Sequence, residues 1–184
     1  SGQGETDNPH YDGNLGSVRS RVFARGMRNP FRFVFHPTEH ALYVSENGDD
    51  TDRISRVRPG SNGSWSAAGD SADYLNPPDT NFRVMQTIPP RSSLVGLHVV
   101  SGGPFGDPGG GAGYTLWVAN AFNEAGRGIR RFAVSGAALD TLTALDGGGS
   151  FVLPSGFSFG AEIELGPDGA LYMTQAGVDE ADGP

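Results

Sequence analysis

Short runs of alternating apolar and polar residues, separated by turn residues, recur along the chain. The clearest are Arg32–Pro37 and Ala41–Glu46, which lie on either side of a short proline-containing turn. Alternation of this kind places every second side chain on one face of a strand. We therefore predict a β-hairpin over Arg32–Glu46. A second hairpin is predicted over Ala161–Thr174, where Pro-Asp-Gly supplies the turn.

Four further strands are predicted from the same pattern. Asp52–Gly60 is expected to be an edge strand, because its apolar positions alternate with arginines. No long amphipathic helix is indicated, and the best candidate, Ala137–Leu145, is short and follows a glycine. The remaining strands are Leu94–Gly102, Tyr114–Phe122 and Gly128–Gly136.

A weak repeat of turn residues followed by leucine, an aromatic residue and an apolar residue indicates β-propeller blades, each a four-stranded antiparallel sheet. A β-sandwich with unrelated hairpins is the alternative. The repeat divides one partial propeller domain, residues 1–184, into blade regions at about 20–75 and 82–136 and the start of a third at 150–184. The repeated triplets are Leu42-Tyr43-Val44, Leu116-Trp117-Val118 and Leu171-Tyr172-Met173.

The composition limits the classes of partner. The formal net charge is −8 and the 13 arginines are scattered along the chain, which disfavours nucleic acid or an anionic membrane surface as partner. The absence of cysteine excludes disulfides and thiolate metal sites. The sequence contains no run of 18 apolar residues, so we expect no membrane span.

Candidate chemistry lies at one end of the first hairpin. An Arg-Asn pair, Arg28 and Asn29, precedes its first strand, and the acidic segment Glu46–Asp52 follows its second strand. The arginine is a charge-assisted donor, and the carboxylates suit a hard cation such as Ca²⁺. A plain β-turn and a solvated acidic loop are the alternatives without a ligand.

The stretch from Ala24 to Trp65 resembles the soluble glucose/sorbosone dehydrogenase family. The strongest matches are Gly26–Pro30 and Leu42–Gly48, followed by a partial match over Arg58–Asn62. Glu164–Thr174 is similar to a later hairpin of the family. The resemblance is strong over about forty residues, and it implies that the chain forms about half of a six-bladed propeller.

The resemblance also implies two cofactors, pyrroloquinoline quinone (PQQ) and Ca²⁺, and assigns residues to each. Backbone carbonyls would ligate the cation, with nearby carboxylates assisting. The implied PQQ-binding residues are Arg28, Asn29 and Asn47. The implied metal-binding residues are Gly48, Asp49, Asp50 and Asp52.

Departures from the family pattern leave the catalytic residue unassigned. Arg53 stands where the family has a carboxylate, so we expect weak Ca²⁺ binding that Arg53→Glu would strengthen. Glu162 and Glu164 stand where the family has arginines that hold PQQ. The family's general-base histidine lies in an earlier blade, and its motif matches none of His10, His36, His40 and His98.

Two functions remain open at this stage. The first is part of a PQQ- and calcium-dependent dehydrogenase that oxidises an aldose or a related alcohol, extracellular or periplasmic. The alternative is a non-catalytic propeller that acts as a binding or scaffold module. In either case the expected partners are a sugar or other small molecule and the remaining propeller blades, from further sequence or from another chain.

Overall fold

The computed structural model describes residues 3–67, 69–106, 113–120, 128–145, 151–152 and 160–175. The regular secondary structure in these ranges is mainly strand, so the predicted all-β class is confirmed. The helices are a 3-10 helix (Arg19–Arg21), α1 (Ala72–Leu75) and α2 (Gly103–Gly106). The strands are β1 (Pro30–Phe35), β2 (Leu42–Glu46), β3 (Asp52–Val57), β4 (Phe82–Ile88), β5 (Leu94–Ser101), β6 (Tyr114–Asn120), β7 (Gly128–Ser135), β8 (Thr141–Ala144), β9 (Phe151–Val152), β10 (Gly160–Leu165) and β11 (Leu171–Gln175).

The strands form three antiparallel sheets in chain order. The first sheet is β1-β2-β3-β4, the second is β5-β6-β7-β8 with β9 also paired to β7, and the third is β10-β11. Within β1–β4, β5–β8 and β10–β11, each strand pairs with the next along the chain, which is the arrangement of propeller blades. Both predicted hairpins are confirmed: β1 pairs with β2, and β10 pairs with β11.

The first strand of every sheet carries a bulge at the same position. The register shifts between Pro30 and Arg32 in β1, between Leu94 and Gly96 in β5, and between Gly160 and Glu162 in β10. Bulges of this kind change the direction of side chains and are frequent beside functional sites. β5 packs against both β1 and β10, so the three first strands lie side by side, as the inner strands around a propeller axis do.

The core lies between successive sheets. Tyr43 and Ile54 of the first sheet meet Leu97 and Leu116 of the second, and all four side chains are fully buried. Between the second and third sheets, Ile163 packs with a smaller cluster that includes residues of β5 and β6. Burial of apolar surface at these two interfaces holds the sheets together face to face.

Several sequence expectations are corrected. β3 is not an edge strand, because it lies between β2 and β4 and is buried along its whole length. Its arginines are accommodated there because both Arg53 and Arg56 reach carboxylates. The short segment Ala137–Leu145, the best helix candidate of the sequence, is a turn followed by β8.

The sheet boundaries also differ from the expected blade regions. β4 lies inside the region predicted as the second blade, yet it pairs with β3 of the first sheet. Residues 121–122, at the predicted end of a strand, and residues 150, 153–159 and 176–184 of the third region lie outside the described residues. The division into blades otherwise stays a prediction.

Candidate functional site

The candidate site lies at the end of the β1–β2 hairpin where β1 begins and β2 ends. Pro30 pairs with Glu46, so the residues just before β1 are adjacent to those just after β2. The Arg28 guanidinium donates to the backbone oxygen of Asn47 at 3.1 Å and forms an ion pair with Asp49 at 2.7 Å. The structure therefore brings the predicted arginine and the predicted acidic segment together.

The two asparagines differ in their availability. Asn29 is exposed, and its backbone oxygen accepts a hydrogen bond from the Asn47 backbone at 3.0 Å. Asn47 is buried, and its side-chain Oδ1 accepts from the backbone N–H of Leu94 at 2.6 Å. That oxygen therefore links the first sheet to the second. Asn29 has the more open side chain for a ligand, while Asn47 also has a structural role.

Asp52 anchors the loop from inside. One carboxylate oxygen accepts from the backbone N–H of Gly48 at 3.2 Å, and the other accepts from that of Ser92 at 2.5 Å. Burial raises the pKa of Asp52, although these N–H donors oppose the shift. Both oxygens have partners, so Asp52 fixes the loop and is not presented to solvent, whereas Asp50 is exposed.

A residue that sequence reasoning missed, Asp70, holds the loop from the other side. Its carboxylate accepts from the backbone N–H groups of Asp49, Asp50 and Thr51 at 3.0, 2.9 and 2.7 Å. Partial burial alone would raise the pKa of Asp70, but these three donors lower it overall. No motif marks Asp70, because its contacts join segments about twenty residues apart.

These hydrogen bonds set the direction of two backbone carbonyls. A trans peptide group is planar, and its C=O and N–H point in opposite directions. Since the N–H groups of Asp49 and Asp50 point toward Asp70, the carbonyls of Gly48 and Asp49 point away from it. No group in the described ranges donates a hydrogen bond to either of these oxygens. Both predicted carbonyl ligands therefore point away from Asp70 and have no hydrogen-bond donor among the described residues.

Side-chain ligands for a metal are sparse by comparison. The described part of the chain contains no group of three or more histidine, aspartate or glutamate side chains placed to hold one ion. Backbone oxygens are nevertheless suitable donors for Ca²⁺, which accepts carbonyl ligands and water. The donor set fits a hard cation held mainly by carbonyls, and the assignment of Asp50 and Asp52 as helpers stays a prediction.

A buried ion pair between Glu46 and Arg53 lies next to Arg28. Glu46 accepts hydrogen bonds from the Arg28 backbone N–H and from Arg53 Nε, the latter at 2.8 Å, and both side chains of the pair are almost completely buried. The Arg53 guanidinium also lies 3.7 Å from the ring centroid of Tyr74 and 4.7 Å from that of Phe82. Burial raises the pKa of Glu46, and the nearby Arg53 charge opposes this shift.

This geometry corrects the expected role of Arg53. Its charge is neutralised by Glu46 inside the sheet, so it does not lie free beside the acidic loop. Arg53→Glu would place a second carboxylate against buried Glu46. The substitution is therefore expected to destabilise the first sheet, not to improve a calcium site.

The inner strands carry two contacts between sheets. Arg32 of β1 pairs with Glu162 of β10 at 2.8 Å, and His98 Nδ1 of β5 lies 3.4 Å from Glu164. Gly96 of β5 lies beside Glu162, and a Cβ there would lie 2.9 Å from the Ala119 Cβ and 3.3 Å from the Glu162 Cα. Glu162 is thus already partnered by an arginine from the first sheet.

The first half of the chain resembles a known protein family in sequence. Residues 1–90 match the sequence model of the glucose/sorbosone dehydrogenase family. This range contains Arg28, Asn29, the acidic loop Glu46–Asp52 and Asp70. The resemblance drawn from the sequence is therefore confirmed for the first half of the chain.

A solved structure extends the comparison to the fold. A Thermus thermophilus protein assigned as an oxidoreductase (glucose dehydrogenase) superposes with a TM-score of 0.64 at 24% identity, covering 93% of this chain. The chain spans 45% of that protein's length. No curated protein matches the chain. Among the described residues, no helix is long and apolar enough to cross a membrane.

Proposed function

We propose that this chain contributes part of the cofactor-binding mouth of a PQQ- and calcium-dependent sugar dehydrogenase located outside the cytoplasm. The observation that carries the proposal is the adjacency of Arg28, Asn29 and the acidic loop Glu46–Asp52 at one end of the first sheet. The match of residues 1–90 to the family supports it.

The residues fit parts of both implied groups. When bound, PQQ would accept a hydride equivalent from the sugar, and Ca²⁺ would polarise the quinone. Arg28 and Asn29 would donate hydrogen bonds to cofactor oxygens. The carbonyls of Gly48 and Asp49 would hold the cation. Asp70 would keep these carbonyls in position.

The supporting residues act through the backbone. Glu46 holds the Arg28 N–H from the inside of the sheet, and Arg53 keeps the Glu46 carboxylate in place. Asp49 forms an ion pair with the Arg28 guanidinium and would orient it toward the cofactor-binding mouth. The arrangement is preformed, which reduces the conformational entropy lost when a ligand binds.

A second candidate function is a non-catalytic propeller that serves as a binding or scaffold module. Glu162 and Glu164 favour it, because acidic side chains on an inner strand oppose an anionic cofactor. Arg32 neutralises Glu162, whereas Glu164 is 61% exposed and its one ion-pair contact in the described part is with His98.

Further propeller blades are proposed as partners of the first sheet. Val34 of β1 packs into the core shared with the second sheet, while Phe31, Phe33 and Phe35 project from the opposite face and are 54%, 54% and 74% exposed. A neighbouring sheet would cover these rings, as the second sheet covers the other face.

PQQ binding with and without Arg28 tests the proposed function. We expect the chain to bind PQQ in the presence of Ca²⁺, followed by its absorbance, and Arg28→Gln to weaken binding at least tenfold. Arg83→Gln, which removes an equal charge from the start of β4, is the control.

An artificial-acceptor assay over a sugar panel then separates the two candidates. The enzyme proposal predicts acceptor reduction by the loaded protein with at least one aldose. Sugar binding without acceptor reduction favours the binding module. Absence of PQQ binding to both the chain and its Arg83→Gln variant contradicts the enzyme proposal.

A further inference from the structure

A cavity near the N-terminus gathers cationic side chains and no acidic one. It has a volume of about 360 Å³ and is lined by His10, Arg19, Val22 and Arg25. None of these residues belongs to the candidate site around Arg28. In a chain with a formal net charge of −8, such a local excess of positive charge needs an explanation.

Arg19 and Arg25 differ from six other described arginines, each of which lies close to a carboxylate. Within the described ranges, neither Arg19 nor Arg25 makes a side-chain ion pair or hydrogen bond. A guanidinium is charged at any physiological pH, so both side chains contribute positive charge to the cavity wall. In contrast, the arginines that lie within ion-pair distance of a carboxylate are Arg28, Arg32, Arg53, Arg56, Arg58 and Arg83.

The imidazole adds an unused polar atom. His10 Nε2 is buried without a hydrogen-bond partner in the described part of the chain. A buried polar atom without a partner costs free energy, and a ligand oxygen would remove that cost. Three nitrogen-bearing side chains therefore border one cavity with unsatisfied hydrogen-bonding capacity.

The surrounding backbone fixes the cavity walls. Arg25 donates its backbone N–H to Ser61 at 2.9 Å, and its carbonyl accepts from Gly63 at 2.9 Å. Arg19 begins the 3-10 helix, whose C-terminal residue Arg21 turns its side chain to the carbonyls of Gly16 and Ser17. Arg19 and Arg25 are thus placed by the fold, whereas Arg21 is already occupied.

We propose that this cavity is a binding site for a small oxyanion, a carboxylate or a phosphate group. The planar guanidinium matches both groups through paired N–H donors. The His10 imidazole would donate a third hydrogen bond in the tautomer that carries its proton on Nε2. Because both arginines are exposed, the affinity is moderate and decreases as salt is added.

Calorimetric titration of the 184-residue chain with inorganic phosphate and, separately, with acetate tests the site. At low ionic strength we expect dissociation constants in the millimolar range or below for at least one anion. Arg19→Gln and Arg25→Gln should each weaken binding about tenfold. Arg21→Gln, which removes the same charge from the same helix, should change it less than twofold.

The two arms distinguish the source of the oxyanion. Phosphate binding alone assigns a phosphorylated ligand, and acetate binding assigns a carboxylate ligand. Circular dichroism of each variant shows whether the fold is retained, and His10→Phe provides a second test that leaves both arginines in place. Binding of neither anion, or equal binding by wild type, Arg19→Gln and Arg25→Gln, overturns the proposal.

Discussion

Two ion pairs a few residues apart in the candidate site differ in their exposure to solvent. Glu46–Arg53 is sealed inside the first sheet, with side chains 1% and 0% exposed, whereas Arg28–Asp49 lies at the rim, with side chains 28% and 42% exposed. Both pairs have a closest N–O distance near 2.8 Å. Distance alone therefore does not distinguish a structural pair from one that is available to a ligand.

The difference comes from solvent. A buried charge that loses its partner is left in a medium that stabilises it poorly, so the buried pair has to remain intact. An exposed pair is screened and contributes little to stability, so its members are able to exchange partners at low cost. This contrast favours Arg28 as a ligand-binding group and Arg53 as its support.

Breaking the buried pair should have the largest effect. Arg53→Met leaves Glu46 buried without its cation and should lower the free energy of unfolding by about 3–5 kcal/mol. Urea denaturation measures the change. The double variant Glu46→Gln/Arg53→Met should recover a large part of the loss. A single variant as stable as wild type would show that the pair is not the support described.

Asp70→Asn should have the next largest effect. The amide has one acceptor oxygen where the carboxylate has two, so we expect a loss of about 1–3 kcal/mol at pH 7. Asp73→Asn is the control, because Asp73 is exposed and carries the same charge.

The pH dependence sharpens this prediction. The pKa of Asp70 is lowered in the folded chain from its usual 3.8, so its contribution is complete above that value and is lost as pH falls through the folded pKa. The stability gap between wild type and Asp70→Asn should therefore stay constant down to about pH 5 and close below it. A gap that persists undiminished at about pH 2 would contradict the assigned role.

Arg28→Gln should have the smallest effect on stability. Its ion pair with Asp49 is exposed, so the free energy of unfolding should change by less than about 1 kcal/mol. The same urea experiment checks this. A loss as large as that of Arg53→Met would remove the distinction between rim and support.

The sequence was sufficient for the local elements and for the position of the candidate site. Alternation predicted both hairpins. The pairing of β1 with β2 in the first hairpin brings Arg28 next to Asn47. The family motifs covered the same residues. These features depend on short-range patterns, which a single sequence displays directly.

Long-range partners were missed for a physical reason. Whether Arg53 is buried or exposed depends on Glu46 and on Tyr74 of α1, which lies outside the β2–β3 pair. Asp70 reaches the loop from a separate segment, and Ser92 comes from the link to the second sheet. The edge-strand prediction failed in the same way, because neutralised arginines are accepted in an interior strand.

Calcium titration of wild type and Asp70→Asn in low salt is the most direct test of the central claim. The claim is that Asp70 directs the Gly48 and Asp49 carbonyls toward a cation site beside Arg28. We predict that wild type and Asp73→Asn bind Ca²⁺ in the millimolar range or tighter, and that Asp70→Asn binds at least tenfold more weakly. Absence of calcium binding to wild type, or equal binding by Asp70→Asn, would contradict the claim.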